Sequence, residues 1–279
     1  NEVIYYVSKS APPPPNASAA DSLDTGWSTT VPTATENVWV SLGSRAAGAT
    51  NYTWGAPKLL QEVTSNILLN QNMLPWVVGT GDATVPGGTW SKNGTTSENT
   101  QSLLTDAFGG QSVIWRAING GTDDYTDGGF NGPLVAISPL QEYRFSILAN
   151  QKHSNDGVTY FGLRGYNSSS QLVNLVQNNG TESTVDGTNP YFFSGDLPAL
   201  DQWYLIVGHL VPHNDTDETI HPDSGIWSVA TGKKVAALNN SDWKFQSTHT
   251  QAQIRAYQFY NTSSDADEVQ FFAPRIDIA

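Results

Sequence analysis

The sequence predicts an all-β protein in which a small β module precedes a larger jelly-roll β-sandwich. Short segments rich in aromatic and β-branched residues recur about every ten residues, separated by Gly, Asn, Asp and Pro, as in sandwiches built from many short strands. No segment shows sustained helical periodicity. The best helical candidate, residues 62–74, covers about three turns and is rich in Asn, a poor helix former. We therefore expect little helix.

The first module is predicted to span residues 1–62. It opens with a strand at residues 3–8, and the stiff Pro-rich segment that follows at residues 11–16 cannot join a sheet. Three further short segments each contain one tryptophan, namely Trp27, Trp39 and Trp54. We interpret these side chains as the packed core of a small sandwich or hairpin module, because aromatic residues dominate small cores.

The larger domain is predicted to span residues 67–279, after a polar boundary near residues 60–67. Its central strands are expected at residues 142–148, 158–164 and 202–208. Within the first of these, from position 143 onward, tyrosine, phenylalanine and isoleucine occupy the odd positions. This is the period of two that a strand with one buried face shows. Later strands are expected at residues 225–229, 254–260 and 268–278, and polar loops at residues 174–189 and 212–223.

The composition excludes several classes of partner. The chain of 279 residues carries 13 basic and 26 acidic residues, a net charge of −13, which argues against binding to nucleic acid or to anionic membranes. No apolar run approaches the length of a membrane span. Cysteine is absent, so disulfides and thiolate metal sites are excluded. Because the first residue is Asn rather than Met, we expect a processed chain or a fragment.

The first module carries a family resemblance in the order of its short motifs. These are Ser-x-x-x-Pro at residues 8–12, Gly-Trp-Ser-x-x-x-Pro at 26–32, Val-Trp-Val-Ser at 38–41 and Trp-x-x-Pro at 54–57. The series resembles modules in tail-fibre and host-specificity proteins of tailed bacteriophages. The resemblance implies a structural, fibronectin-like β module that acts as a spacer on a fibre, not a catalytic unit.

The larger domain carries a second resemblance over residues 67–279. Its ordered motifs include Trp115-Arg, Asp127-Gly-Gly, Tyr160-Phe-Gly, Arg255-Ala-Tyr and Pro274-Arg-Ile-Asp. The series resembles a domain of phage tail fibres and other adhesins that is similar in pattern to jelly-roll carbohydrate-binding modules. It implies a receptor-binding segment that recognises host surface glycan, in a homotrimeric fibre with other virion subunits outside the cell. In such modules Ca²⁺ commonly lies near the first and last strands, which points to Glu98 and Asp277.

A glycine-rich loop offers a further candidate for Ca²⁺. Asp123, Asp124 and Asp127 place three carboxylates within five positions, and Ca²⁺ takes six to eight oxygen ligands from such flexible loops. The spacing is not that of an EF-hand. A solvated acidic turn explains the same residues equally well, so both interpretations stay open.

Sugar binding requires exposed aromatic faces beside planar polar groups. The sequence offers Trp115 with Arg116, Tyr125, and Tyr257 with Arg255, and also Tyr166, Tyr191 and Trp227. In residues 254–260 the period of two places Arg255 and Tyr257 on the same strand face. We expect at least half of these aromatic side chains to be buried, because a chain with nine tryptophans needs most of them for its core.

Enzyme chemistry and transition-metal binding have weaker support in the sequence. Two histidines, His213 and His221, lie in the acidic loop at residues 212–223, but their spacing matches no strong metal signature and His209 is on another element. We therefore expect an exposed loop.

The leading interpretation is a non-enzymatic glycan receptor-binding segment. Alternatives are a polysaccharide lyase or glycosidase on the same sandwich, with His249 beside the Arg255 face, and a surface adhesin or filament glycoprotein modified at its Asn-x-Ser/Thr sites.

Overall fold

The computed structural model describes residues 2–7, 27, 38–44, 53–54, 58–61, 76–85, 88–118, 127–153, 157–178, 185–186, 190–259 and 267–279. Within these ranges all helix and strand structure is β-strand, which confirms the predicted fold class. None of these residues forms a helix that could cross a membrane. The chain divides into two compact units, Asn1–Ser65 and Asn66–Ala279. The helical candidate at residues 62–74 and the Pro-rich segment lie outside the described residues.

The first unit contains a four-stranded antiparallel sheet. Its strands are β1 (Glu2–Val7), β2 (Val38–Ser44), β3 (Thr53–Trp54) and β4 (Lys58–Gln61). The central strand β2 pairs with β1 along most of its length and with β3 and β4 on its other edge. Trp27 is buried, as a core side chain should be. The strands predicted at residues 3–8 and around Trp39 and Trp54 are confirmed.

The second unit is a sandwich of two sheets. The larger sheet contains β5 (Gly79–Thr80), β8 (Asn99–Thr105), β9 (Gln111–Ile118), β12 (Tyr143–Lys152), β15 (Leu175–Gln177), β16 (Val185–Asp186), β18 (Tyr204–Val211), β19 (Gly225–Ser228), β20 (Lys233–Ala236), β21 (Trp243–Lys244) and β23 (Glu268–Ile278). Its main path is β16-β15-β21-β18-β12-β23-β9-β8-β5, with β19 and β20 added beside β18. The smaller sheet contains β6 (Ala83–Val85), β7 (Gly88–Asn93), β10 (Gly129–Asn131), β11 (Val135–Ala136), β13 (Val158–Tyr166), β14 (Leu172–Val173), β17 (Tyr191–Gly195) and β22 (Gln251–Phe259).

An aromatic cluster joins the two sheets. Phe130 on β10 is fully buried, and its ring centroid lies 5.1 to 5.8 Å from four other aromatic rings, those of Trp76, Trp90, Trp115 and Phe271. Trp90 belongs to the smaller sheet, whereas Trp115 and Phe271 belong to the larger one. Most of these rings meet edge to face or tilted, the arrangements that aromatic quadrupoles favour. The cluster is therefore a bridge across the sandwich.

Strand β12 confirms the predicted alternation and has a hydrogen-bonded strand on each side. It pairs antiparallel with β18 and with β23. Phe145 and Ile147 are fully buried in the core between the sheets, so Ser146 and Leu148 point to the opposite, outer face. The sequence pattern thus sets which side chains the outer face of the larger sheet presents.

A β-bulge changes the alternation of β23. Ser146 pairs with Arg275 but Leu148 pairs with Phe272, so β23 holds one extra residue at this point. Ala273 lies there with φ of 47°, a left-handed conformation that is uncommon for a residue other than glycine. The extra residue lets Phe271 and Ile276, an odd number of positions apart, both point into the core. Phe272 and Arg275 consequently both point outward.

The predicted loop at residues 174–189 is wrong in part. It contains two short strands, β15 and β16, which pair with each other at Leu175 and Val176. Leu175 is fully buried and Val176 also pairs with Lys244 on β21. Core packing and neighbouring strands stabilise these residues, and neither contribution is visible in the polar composition of the segment.

We expect Phe130→Ala to lower the free energy of unfolding of the second unit by about 3–5 kcal/mol, because it removes a fully buried ring and leaves a cavity between the sheets. Chemical denaturation measures the change. The matched control is Phe108→Ala, which removes the same ring from a side chain that is 71% exposed and should leave the stability nearly unchanged. Equal losses in the two variants would contradict this account of the core.

Candidate functional site

The outer face of the larger sheet contains a cavity of about 550 Å³, within the range of natural ligand sites. Its floor comes from the neighbouring strands β18, β12 and β23. Its walls come from the turn between β8 and β9 on one side and from β19 and the preceding loop on the other. The lining residues are Phe108, Arg144, Ser146, Leu148, Leu205, Val207, Asp223, Trp227, Ser228, Val229, Gly232, Ala273 and Arg275. We refer to this feature as the groove.

The floor of the groove is largely apolar because three strands align their outward positions. Val207 and Ser146 are cross-strand partners, and Leu205 and Leu148 form the next pair along the same two strands. The bulge at Ala273 continues the floor onto β23. Bulges are common beside binding sites because they redirect side chains out of the regular alternation.

Two aromatic side chains stand on opposite sides of this floor. Trp227 is the cross-strand partner of Leu205, and its indole N–H donates to the carbonyl oxygen of Asp223 at 2.9 Å. Phe108 lies on the other side, in a turn where the Asp106 carboxylate accepts hydrogen bonds from the backbone N–H groups of Phe108 and Gly110. Burial alone would raise the pKa of Asp106, but these bonds and one from Ser112 lower it. The turn is therefore well ordered around a charged carboxylate.

The groove also presents one guanidinium and one carboxylate that are open to a ligand. Arg144 is half-buried and forms no salt bridge with any described residue. Asp223 is exposed, and only its backbone groups have described hydrogen-bond partners. The second guanidinium of the lining is different, because Arg275 forms a bidentate pair with Asp277, with bonds of 3.0 and 2.7 Å.

A buried carboxylate positions the loop that supplies one wall. Asp242 is fully buried and accepts hydrogen bonds from the backbone N–H of His209, the backbone N–H of His221 and the hydroxyl of Ser224. The donors belong to β18 and to the loop after it, so one side chain ties the loop to the sheet. This anchor holds Asp223 and the start of β19 beside the groove.

Two histidines stack at the Arg144 end of the groove. His209 is the cross-strand partner of Arg144, and its ring lies 3.7 Å from that of His221 with an angle of 13° between planes. His209 Nδ1 hydrogen bonds to the Glu142 carboxylate at 2.8 Å, while its Nε2 is buried with no partner among the described residues. Burial is the largest influence on His209 and lowers its pKa, and the neighbouring His221 lowers it further, against the opposing effect of Glu142.

In the described part of the chain, the group that could approach a metal ion consists of Glu142, His209 and His221, since one ligand atom from each lies within 4.8 Å of the others. The stacked rings do not fit such an ion as they stand. Nearly parallel imidazoles direct their lone pairs within parallel planes, so both nitrogens reach one ion only if a ring turns.

The predicted sugar ligands Trp115 and Arg116 do not form an exposed site. Trp115 is fully buried in the aromatic cluster, and its indole N–H donates to Asn99 at 2.9 Å. Arg116 points to the opposite face, where its Nε donates to Glu268 at 2.9 Å. Adjacent residues of a strand point in opposite directions, so the two side chains cannot share a ligand. Tyr125 lies outside the described residues.

The predicted calcium ligands are divided between distant positions. Glu98 and Asp127 are both buried at one end of the sandwich, where a side-chain atom at Gly128 would touch the carbonyl oxygen of Glu98. Asp277 is nine residues beyond Glu268 on β23, which places it about 30 Å away along the strand. It is also paired with Arg275, so it cannot share an ion with Glu98. Asp123 and Asp124 lie outside the described residues.

Arg255 and Tyr257 lie together on the outer face of the smaller sheet, as predicted, although both are almost completely buried. The Arg255 guanidinium lies 5.6 Å from the ring centroid of Tyr191 and 5.1 Å from that of Tyr257. Its Nε donates to Asn131 at 3.0 Å. Burial is the main reason that the pKa of Arg255 falls to about 10, so the group stays charged at neutral pH. His249 accepts from the backbone N–H of Gln246 in its own loop and donates to the carbonyl oxygen of Val173 on β14, so it is not part of this cluster.

The groove cannot be recognised in the sequence, although Trp227 is among the predicted sugar-binding residues. The floor residues are ordinary Ser, Val and Leu at strand positions, and their closeness depends on the strand order. The association of His209 with His221 and Glu142 was also missed, because they belong to separate elements. The period of two did carry a signal, because it predicts that His209 and Arg144 point to the same outer face as the floor residues.

Comparisons with known proteins give no family for this chain. No protein-family model matches it, and no curated protein matches it. Among solved structures, a proposed sugar-binding protein of Bacteroides thetaiotaomicron is similar over 75% of this chain and 100% of that one, with 11% sequence identity and a TM-score of 0.43. A likeness at this level carries no inference about the ligand of this chain.

We expect the stability of the second unit to fall as the pH is lowered from about 7 to about 5. Burial lowers the pKa values of His209 and His249 below 6.5, the ordinary value of a histidine, so the unfolded chain binds more protons than the folded one in this interval. The contribution of these two histidines to stability is therefore fully present above pH 6.5 and is lost on acidification. Denaturation at several pH values measures the slope.

The variant His209→Gln should reduce this slope, because it removes one of the two buried titrating groups while keeping a hydrogen-bonding side chain. The control His213→Gln changes a histidine that is only half-buried and should leave the slope as it is. A slope that is unchanged in His209→Gln and reduced in the control would contradict the assignment.

Proposed function

We propose that the groove binds a glycan chain and that the protein is a glycan-recognition protein. The observation that supports this most directly is the arrangement of Trp227 and Phe108 on either side of an apolar floor, with Arg144 and Asp223 open at the rim. The cavity is long enough to be lined by four strands and the turn between β8 and β9.

The chemistry of a sugar ring matches this combination. One face of a pyranose is formed by C–H groups, which pack on aromatic and aliphatic side chains, while its hydroxyls need planar donors and acceptors. Trp227 is held by its hydrogen bond to Asp223, so little side-chain freedom is lost on binding. Arg144 supplies donors and Asp223 supplies acceptors at the same rim. Neither has to break a described salt bridge first.

The lining supports binding rather than hydrolysis. A glycosidase needs two carboxyl groups on either side of the scissile bond, about 5 to 10 Å apart. Among the described lining residues Asp223 is the one carboxylate, and the lining contains neither histidine nor tyrosine to serve as a base. We therefore propose a non-enzymatic role for the groove.

The wider setting that we propose is a receptor-binding segment of a phage tail fibre on the outside of a virion. Its support is the sequence resemblance of residues 8–57 and 67–279, described above, and a homotrimer with other fibre subunits follows from the same resemblance. Multiple copies would suit a shallow sugar site, because linked weak sites gain avidity without new contacts. Structural Ca²⁺ is part of this proposal, and it rests on the same resemblance and on the acidic loop around Asp127.

We expect Trp227→Ala to weaken glycan binding about tenfold or more, because it removes the flat surface on which a sugar ring packs. A glycan array identifies a ligand for the native protein, and calorimetry then measures the affinities of the variants. The matched control is Trp203→Ala, which removes a half-buried indole that precedes β18 and packs on Phe272, and neither of these two residues lines the groove.

Retained binding in Trp227→Ala, with loss in the Trp203 control, would place the ligand elsewhere and refute the groove. The same incubations test the enzymatic alternative. New reducing ends or an unsaturated sugar product that accumulates with time, and disappears in Arg255→Ala, would overturn the non-enzymatic role.

Calcium removal is expected to lower the melting temperature of the second unit if Asp127 and its loop hold an ion. Free Ca²⁺ at about one hundred times Kd would stabilise the folded state by about 2.7 kcal/mol. Asp127→Asn should abolish the response to EGTA, whereas the exposed control Asp196→Asn should keep it. An identical melting temperature with and without EGTA would remove Ca²⁺ from the proposal.

A further inference from the structure

The outer face of the smaller sheet combines arginine and tyrosine side chains that the groove does not use. Strands β13 and β22 pair over nine positions, from Val158 opposite Phe259 to Tyr166 opposite Gln251. Phe161 and Leu163 on β13 and Ile254 on β22 are fully buried in the core. The alternate positions therefore point outward and present three tyrosines and two arginines: Tyr160, Tyr166, Tyr257, Arg164 and Arg255.

Arg164 has an unused hydrogen-bond donor on this face. Its Nε is buried and has no acceptor among the described residues, and none of the described salt bridges involves its guanidinium. The direct cross-strand neighbour, Gln253, has other partners, since its Oε1 accepts from Tyr166 and its Nε2 donates to Gly132. Buried donors in native proteins are nearly always satisfied, so this one requires an explanation.

A second positive charge lies beside Arg164. Gly162 is opposite Arg255 and Arg164 is opposite Gln253, so the two arginines are diagonal neighbours on one face. Burial is the main cause of the lowered pKa of Arg255, and the positive charge of Arg164 lowers it further. Two guanidinium groups at this spacing gain most from an anion placed between them. The chain as a whole is strongly acidic, with a net charge of −13, so two neighbouring arginines on one face are unusual for it.

The tyrosines give the face a surface suited to a sugar ring. Tyr160 stacks on Tyr257 with centroids 5.4 Å apart and planes 9° apart, and Tyr191 meets Tyr160 edge to face at 4.6 Å. Gly162 makes this arrangement possible, because a side chain there would meet the Tyr191 ring at 2.7 Å. Tyr160 and Tyr191 are half-buried and so keep part of their rings open to a ligand.

We infer that this face is a second binding site, separate from the groove, for the carboxylate of an acidic sugar such as a uronate. Arg164 is half-buried, and the two terminal nitrogens of its guanidinium, rather than the buried Nε, bind the carboxylate through two parallel hydrogen bonds. Arg255 is a positioning residue, held by Asn131 and Tyr257, that adds positive charge beneath the site. The open parts of Tyr160 and Tyr191 pack against the sugar ring.

The test uses calorimetry of the full chain at low ionic strength. The probes are oligomers of galacturonate, glucuronate, mannuronate and guluronate, each compared with the same oligomer after methyl esterification of its carboxylates. We expect at least one acidic oligomer to bind about tenfold or more tightly than its ester, with an affinity that falls as salt is added. Failure of all four acidic oligomers to bind would overturn the inference.

Three variants locate the site. Arg164→Gln should lose about tenfold or more in affinity for the acidic oligomer, and Arg164→Lys should regain part of it, because the charge returns without the planar fork. Lys233→Gln removes an equal charge from an exposed position on the other sheet and should leave the affinity unchanged. Thermal denaturation checks that each variant is folded.

Trp227→Ala separates this inference from the proposed function. If the second site exists, the acidic oligomer binds to Trp227→Ala as it binds to the native protein. Loss of acidic-oligomer binding in Trp227→Ala, with normal binding in Arg164→Gln, would move the ligand to the groove. That outcome would overturn the second site and leave the groove standing.

Discussion

The alternation of side chains along β12 is the constraint on which the rest of the second unit depends. Its odd positions, including Phe145 and Ile147, are fully buried between the sheets, and its even positions Ser146 and Leu148 form the middle of the groove floor. A register shift by one residue would exchange the two faces and bury polar groups in the core. The core and the groove therefore cannot be altered independently.

Two local features, a bulge and a buried carboxylate, shape the groove on this regular arrangement of strands. The bulge at Ala273 shifts the alternation of side chains in β23 by one residue. As a result, Phe271 and Ile276 both reach the core while Arg275 joins the outer face. The buried carboxylate of Asp242 binds the loop after β18 to the sheet through backbone N–H groups and a hydroxyl. Charged hydrogen bonds of this kind are strong when shielded from water. Irregular backbone thus supplies the groove walls, and regular pairing supplies its floor.

The distribution of the few arginines is informative in a chain that is so acidic. Arg116 and Arg275 are bound to carboxylates on their own strands or on a neighbouring strand. Arg144 and Arg164 form no described salt bridge, and they lie on the outer faces of different sheets. Internal pairing accounts for the first two, and the other two are the guanidinium groups on which the proposed groove site and the proposed second site rest.

The sequence by itself determined the fold class, the main strands and the face shared by Arg255 and Tyr257, because strand periodicity is a local property. It could not decide which aromatic rings stay accessible, and so it chose Trp115, which the core buries, beside Trp227, which the groove exposes. Pairings such as His209 with His221, and the separation of Glu98 from Asp277, follow from strand order and register. Those depend on contacts between residues far apart in the chain. Only the tertiary structure brings such residues together, since each is specified by packing and not by its neighbours in sequence.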